Sequence, residues 1–486
     1  MAESPSIAAP TRGEWGALAA IVALALGCRL VALAQPMRYD ESVTWALFAG
    51  RSWSTIVSWY PFPNNHVLFS LLAKLTSRLA PWSPWALRLP AFVAGIAIVP
   101  LTWEVGRRRL DPASALGGAA LAAGATSLVL YSTNARGYAL EVALALWLVL
   151  LADRLRERDS ARRWVAFALV AAAGLYTIPV MLYPMGSAAL WLLLDAWPRP
   201  PAERRRRVAA LAAACAGAVL LATICYLPIL RASGASALAG NKFVSASPWP
   251  EFAASVPRWL LATLGTWAQP YPWWSAPVLL ALALIGLVRR PGERGPSLAM
   301  ATLAWCVLLL LVTHRTPFVR VLLFVLPLYL LVVARGIVSV VARATAGRAA
   351  GPLALRAVPL GLAMIAGACA LGTDAARRSE DTGAFRGARG VTALIAPRIG
   401  PGDRVLAPIP SNGPLLYYFA ERGLDTAALN VPLASAPRAF LVLDPARGQT
   451  LDWAVRARIL DPREFGQPVP LGAAAGAEVW EADRRR

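Results

Sequence analysis

Charge is scarce in this sequence. Of its 486 residues only 15% are Asp, Glu, Lys or Arg, whereas a soluble globular domain carries about 25%. With 57% of residues hydrophobic and a mean hydropathy of +0.53, the chain could not cover its own surface in water. A soluble globular protein is excluded. Acidic residues are scarcer still, 27 against 48 basic ones. Such an excess can serve nucleic acid, but here the basic residues stand in short blocks between apolar runs, the pattern of membrane topology. No nucleic-acid partner is expected. Lysine is almost missing: Lys74 and Lys242 are the only two, a bias that fits genomic composition, since alanine is abundant. Cysteine is sparse, and Cys28, Cys215, Cys225, Cys306 and Cys369 all fall inside apolar runs. None lies in the polar tail, so no disulfide framework is indicated and they read as small buried hydrophobes. An internal repeat is also missing, which weighs against an inverted-repeat transporter.

What the chain has in quantity is apolar runs of spanning length, about 20 residues each. The first, near 15–35, ends in Ala32-Leu33-Ala34, which resembles a signal cleavage site. Its apolar core exceeds the roughly 7–15 residues of a signal peptide, and Arg12 alone precedes it, so an uncleaved span is expected. Basic blocks stand at Arg107 to Arg109, Arg154 to Arg163, Arg204 to Arg207, Arg289 with Arg290 and Arg294, and Arg343 with Arg348. Setting all of them inside makes the N-terminus cytoplasmic. About eleven spans follow, near 15–35, 88–106, 113–133, 139–153, 164–177, 179–197, 208–229, 275–288, 297–314, 319–337 and 352–372. The run 164–197 has basic links on both sides, so a pair of spans turning near Tyr176 and Pro179 keeps both inside.

The fold class expected is an α-helical polytopic membrane protein with a small C-terminal α/β domain outside. Residues 1–372 make the transmembrane domain. From 373 the apolar runs shorten to strand length, as at 404–407 and 439–443, and alternate with helix-like segments near 412–422 and 450–460. Gly383, Gly387 and Gly390 do not follow a strand, so no nucleotide fingerprint is present. Besides the Tyr176 turn, the loop 36–87, the turn Asn134 to Tyr138, the Trp- and Pro-rich loop 230–274 and the turn His314 to Phe318 then lie outside. Within the first loop, 40–59 and 66–80 each read as an amphipathic helix suited to the membrane interface.

Few ionisable groups face outward. The carboxylates are Asp40, Glu41, Glu141 and Glu251, and the cations include Arg38, Arg51, Lys74, Arg136, Lys242, Arg315 and Arg320. Both histidines, His66 and His314, are outward as well. Charge at membrane depth is costly and tends to be functional. A carboxylate at the hydrocarbon edge, as in Arg38-Tyr39-Asp40-Glu41, is partly desolvated and a better proton acceptor; the plain alternative is a helix cap with a first-turn charge. His66 after Asn64-Asn65 is a ligand or phosphate donor, or simply a polar helix start. Arg136 and Tyr138 bind a ligand, or snorkel and anchor at the interface. Arg320, after His314-Arg315-Thr316-Pro317, runs against the positive-inside bias and so favours anion binding.

Taken in order, these pieces resemble a family. Asp40-Glu41 after the first span, Asn65-His66 opening an interfacial helix, Arg88-Leu89-Pro90, Arg136-Gly137-Tyr138, and Arg320 followed by Pro327 are similar to the GT-C membrane glycosyltransferases. The likeness is to the group with protein O-mannosyltransferases and the lipid A aminoarabinose transferase, over about 15–340 and more loosely in the tail. It implies a polyprenyl-phosphate sugar donor, a lipid, glycan or protein acceptor, and a single inverting displacement. Asp40 would be the catalytic base, with Glu41, His66, Arg136, Tyr138, His314 and Arg320 in substrate binding. No cofactor is fixed by these residues, a divalent cation being the one candidate. The site would open on the bilayer, at the outer face of a bacterial-type inner membrane. Val321 and Val67 stand where the family has Tyr and Pro, differences that bear on the substrate. A lipid or solute transporter without catalysis is the alternative, but it asks for polar residues lining a path through the whole membrane.

Reporter fusions at Gly347 and Ala475 test the topology. Opposite sidedness is expected; the same side for both would remove the odd span count and the outward tail.

Overall fold

The computed structural model describes residues 9–239, 245–288, 297–429 and 436–485. Lys242, Arg289, Arg290 and Arg294, named above as an outer cation and a basic block, lie outside the described residues. The chain divides into two compact units. The first comprises Met1–Leu33, Trp53–Leu72 and Arg88–Arg377; the second comprises Ala34–Ser52, Ala73–Leu87 and Arg378–Arg486.

The first unit is helical, and a helix occupies each of the eleven expected span positions. Among the described residues six are long and apolar enough to cross a membrane, or seven if the bent pair Pro112–Gly124 and Thr126–Ser132 counts as one span. The chain is a multi-span membrane protein. The remaining positions hold shorter or more polar helices. Ser275–Leu287 has 13 residues and Leu298–Thr313 has 16, below the roughly 20 that a perpendicular crossing needs. Small residues let neighbouring helices approach closely. Ala25, Ala115, Ala119, Ala120 and Ala123 share one buried cluster with Leu18, Ile21, Val99 and Trp103. Where Ser275–Leu287 crosses Val325–Ala344, the contact is backbone on backbone. A Cβ at Gly336 would stand 1.9 Å from the Leu282 carbonyl oxygen, and one at Gly286 would stand 2.0 Å from that of Val332.

The basic blocks are also paired with carboxylates. Arg108 and Arg109 both pair with Asp153. Arg156 and Arg199 each meet Asp195 at 2.8 Å, and Arg199 meets Glu203 at 2.7 Å. Shared carboxylates thus tie together the helix ends that carry the excess charge.

The span expected at 113–133 is broken at Ala125 and bent by 59°. Arg29, fully buried, bridges the break: it donates to the Ala123 carbonyl at 2.9 Å and to Ser132 Oγ at 3.2 Å. The freed Thr126 N–H donates to Gln269 O at 3.1 Å. A helix broken at membrane depth must have its orphan backbone groups satisfied by protein, and these contacts do so. Two further stretches differ from expectation. Residues 249–268, read as loop, form the 20-residue helix Trp249–Ala268. Pro248 and Pro250 read as breakers, yet they sit at its start, where a missing N–H costs nothing. Residues 40–59 are not one helix but Tyr39–Thr44, a π-turn Trp45–Ala49, and Trp53–Ser58. Gly50 ends the first stretch, and Arg51 Nε caps the Ala46 carbonyl at 2.8 Å.

The second unit holds a four-stranded sheet of β1 (Arg404–Leu406), β2 (Arg438–Leu443), β3 (Val469–Ala474) and β4 (Ala477–Asp483). The order is β1-β2-β4-β3, with β1 parallel to β2 and the other pairs antiparallel. Ala439, Leu441 and Leu443 of β2 pack on Ala454, Leu460 and Phe465. Residues from the loop 36–87 belong to this unit through aromatic contact. The Trp45 ring lies 5.1 Å from Tyr417 and 5.4 Å from Trp82.

Gly336→Leu drives a side chain into the Leu282 backbone. Overpacking of this kind costs about 1–3 kcal/mol or more, read as a lowered melting temperature in detergent. Unchanged melting would mean that the two helices do not cross there.

Candidate active site

In the first unit, His66, Arg136, Tyr138 and Arg320 come together. The loop after the broken helix supplies Arg136, and Tyr138 opens the helix Tyr138–Glu157. Opposite them stands Asn64-Asn65-His66, just before the helix Val67–Thr76. Asn65 is fully buried and acts as a staple. Its Nδ2 donates to Ile56 O at 2.8 Å and Trp59 O at 3.2 Å, while Oδ1 accepts from Ser70 Oγ at 3.1 Å. That fixes the two residues beside it. Asn64 receives the Arg136 guanidinium, through its carbonyl at 3.2 Å and Oδ1 at 3.0 Å. His66 Nδ1 accepts the Gly137 N–H at 2.8 Å.

The last bond sets the histidine's chemistry. An imidazole that accepts at Nδ1 and is uncharged carries its proton on Nε2, and is there a donor. Burial, with Arg136 and Arg320 adding repulsion, holds its pKa well below the usual 6.5. His66 is therefore a neutral donor. Its ring meets Tyr138 edge to face at 5.1 Å, and Tyr138 meets Tyr131 at 5.0 Å. Arg320 Nε donates to Tyr138 Oη at 3.2 Å, and its guanidinium lies 4.2 Å from the Phe318 ring.

Arg136 is only 2% exposed. Among the described residues it makes no ion pair, its side-chain hydrogen bonds go only to Asn64, and Nε has none. A buried cation without a carboxylate is expensive, and plain snorkelling would have put its head in water. Tyr60, buried beside it, is pushed up to about 12 chiefly by burial, with Arg136 opposing, and stays a phenol. Residue type alone gave no signal for Tyr60. Glu141 is fully buried and neither oxygen has a hydrogen-bond partner among the described residues. His314 is engaged otherwise, its ring tilted against Trp249 at 4.2 Å and Phe252 at 5.8 Å, with left-handed backbone, φ 49°.

Asp40 and Glu41 belong to the second unit, in the first turn of Tyr39–Thr44. Their environments separate them. Glu41 is fully buried and its Oε1 accepts the Arg38 N–H at 2.8 Å, closing the helix start. Asp40 is half-buried, and among the described residues its carboxylate has no hydrogen bond or ion pair. Lys74 is bound to the carbonyls of Ala49 and Arg51 in the same unit. No group of three or more His, Cys, Asp or Glu able to hold a metal occurs among the described residues.

The family model for dolichyl-phosphate-mannose-protein mannosyltransferases matches residues 64–227. No curated protein matches the chain. Among solved structures, ArnT from Cupriavidus metallidurans bound to undecaprenyl phosphate is 14% identical, covering 97% of this chain and 98% of its own, with TM-score 0.62. The Archaeoglobus fulgidus oligosaccharyltransferase in complex with Zn and sulfate is 12% identical, covering 96% and 72%, with TM-score 0.54. The same enzyme tethered to an acceptor peptide gives 12%, 96% and 74%, with TM-score 0.52. The chain has the GT-C fold.

The His66 environment is directly measurable. Its imidazole is expected not to protonate near pH 6.5, where a free histidine does, in an NMR titration assigned with His66→Gln. Protonation near 6.5 would mean that the Gly137 bond and the arginine neighbours are not as described.

Proposed function

We propose that this chain is a membrane glycosyltransferase. It moves a sugar from a polyprenyl-phosphate donor to an acceptor hydroxyl of a lipid, glycan or protein, inverting the anomeric carbon. It does so at the outer face of a bacterial-type inner membrane, with the C-terminal unit extracytoplasmic. The observation that carries this reading is Arg136, a buried guanidinium whose only side-chain hydrogen-bond partner among the described residues is Asn64. Such a group suits a phosphate, which accepts from guanidinium N–H groups. The family match over 64–227 and the likeness to ArnT, whose structure holds undecaprenyl phosphate, support a lipid-linked donor.

The proposed step needs few parts. The acceptor oxygen bonds to the anomeric carbon while its proton passes to the Asp40 carboxylate. The bond from that carbon to the phosphate oxygen breaks, and its electron pair leaves with the polyprenyl phosphate. Arg136, Arg320 and the His66 Nε2–H offset the charge that builds on the leaving group. A phosphate needs no strong general acid to leave, which accords with a histidine held neutral. Tyr138 holds Arg320 in place. Glu41, spent on the Arg38 N–H, orients rather than reacts. His314, between aromatic rings, is better placed for a sugar or lipid face than for phosphate.

Asp40→Asn keeps the shape but takes no proton, and loss of a positioned base is worth about 10²–10⁴ in rate. Transfer should fall by that factor with donor affinity kept, and Glu41→Gln should do less. Arg136→Ala should do the reverse, weakening undecaprenyl-phosphate binding by roughly tenfold or more, as for one charge-assisted hydrogen bond. Near-native transfer by purified Asp40→Asn would sink the base assignment; undiminished binding by Arg136→Ala would return that residue to an anchoring role.

A further inference from the structure

The backbone of the Asp40 turn is held by a strained loop of the C-terminal segment. Tyr39 and Asp40 are the first residues of a helix, where N–H groups have no partner inside the helix. Both go to the same loop. The Tyr39 N–H donates to Gly383 O at 2.9 Å and the Asp40 N–H to Thr382 O at 3.2 Å. Arg38, 2% exposed, donates from one nitrogen to Ser379 O at 2.7 Å and Asp381 O at 2.9 Å. Upstream, the Met37 N–H donates to Tyr418 Oη at 3.1 Å.

The loop's conformation is costly. Thr382 and Gly383 are consecutive residues in the left-handed region, at φ 68° and 73°. For a β-branched residue that is a genuine outlier, and such strain persists only where its surroundings enforce it, commonly beside functional sites. Asp381 helps enforce it, its Oδ1 accepting the Thr382 N–H at 2.9 Å. At 383 no side chain fits: a Cβ would lie 2.6 Å from Tyr39 Cβ and 2.9 Å from Pro410 Cβ.

We infer that Thr382 and Gly383 are positioning residues, whose carbonyls and tight turn fix the Asp40 backbone and so aim its carboxylate. This rests on Asp40 being the base. It makes the C-terminal segment part of the catalytic apparatus. Misplacing a reacting group by about 1 Å can cost on the order of 10²-fold in rate, and that is the scale at which the loop acts.

The test is a double-mutant cycle on the full-length protein, with kcat and donor KM measured for each variant. Gly383→Ala forces a methyl group against Tyr39, and kcat should fall about 10–100-fold with donor KM within about threefold. In the Asp40→Asn background the same change should add almost nothing, because residues that act as a unit are non-additive. Thr382→Gly keeps the carbonyl but loosens the loop. It should lower kcat severalfold with no loss of melting temperature, and it carries the cycle alone if Gly383→Ala does not fold. A native kcat in the variants would overturn the inference, as would an equal further loss in the Asp40→Asn background, since that is what a purely structural loop gives. If Asp40→Asn itself transfers at near the native rate, the base assignment fails first, and that result is distinct from the other two.

Discussion

The hydrogen bond from the Gly137 N–H to His66 Nδ1, at 2.8 Å, joins two stretches of the first unit that are 71 residues apart. The rest of that unit's polar cluster depends on it. It fixes the histidine tautomer and brings Arg136 to Asn64. It also sets the ring of His66 against Tyr138, which in turn holds Arg320. The bond is possible only because the span before Arg136 is broken. A straight helix through 113–133 would continue past Ala125, whereas the 59° bend turns the chain toward Asn134 and Arg136. Arg29 secures that bend by capping Ala123 O and holding Ser132. A break in one apolar helix is thus the local cause of a polar site at the end of the next.

Much of this was legible in the sequence, and the exceptions have physical reasons. Length and hydropathy placed a helix at each expected span, since burying apolar surface in lipid demands it. The grouping of His66, Arg136, Tyr138 and Arg320 was legible only as an ordered set, because each residue alone has an ordinary interfacial role. The break at Ala125 was not legible: Gly124-Ala125-Thr126 carries no proline, and the bend is enforced by Arg29 and Gln269 from elsewhere in the chain. Strands β3 and β4 were missed for a similar reason. Val-Pro-Leu-Gly-Ala-Ala is poor in β-formers, and its pairing is supplied by neighbouring strands. Within the second unit, the partners of Tyr39 and Asp40 lie more than 340 residues downstream, beyond any local pattern.

Arginine at 136 and 320 is the chemically selective choice. Its planar fork donates several parallel N–H groups, stacks on aromatic rings and is less strongly hydrated than an ammonium. Arg320 uses the stacking, against Phe318, and Arg136 uses the fork, against both oxygens of Asn64. Arg136 keeps donor capacity at Nε at little cost in side-chain order, because its guanidinium is already held. The scarcity of lysine, which composition alone explains, leaves arginine as the cation at both positions.

The proposed reaction asks for two environments that cannot be one. Holding a phosphate calls for a dry setting, where the attraction between charge and N–H groups is strong. His66 at 2% exposed and Arg136 at the same exposure meet that demand. A base must instead return its proton to water after each turnover, so it cannot be sealed. Of two adjacent carboxylates, that of Glu41 is sealed and bonded to the Arg38 N–H, while that of half-exposed Asp40 makes, among the described residues, no hydrogen bond or ion pair. Adjacent residues on a helix point about 100° apart, so in one first turn one of the pair faces the interior and its neighbour does not. The order Asp then Glu decides which is which, with Glu at the third helical position reaching back to close the helix start. Reversing the pair would put the longer side chain at the outward position and leave the shorter one to span a gap suited to glutamate. The sequence Asp40-Glu41 is on this argument a single device, one carboxylate building the turn and the other left free by it.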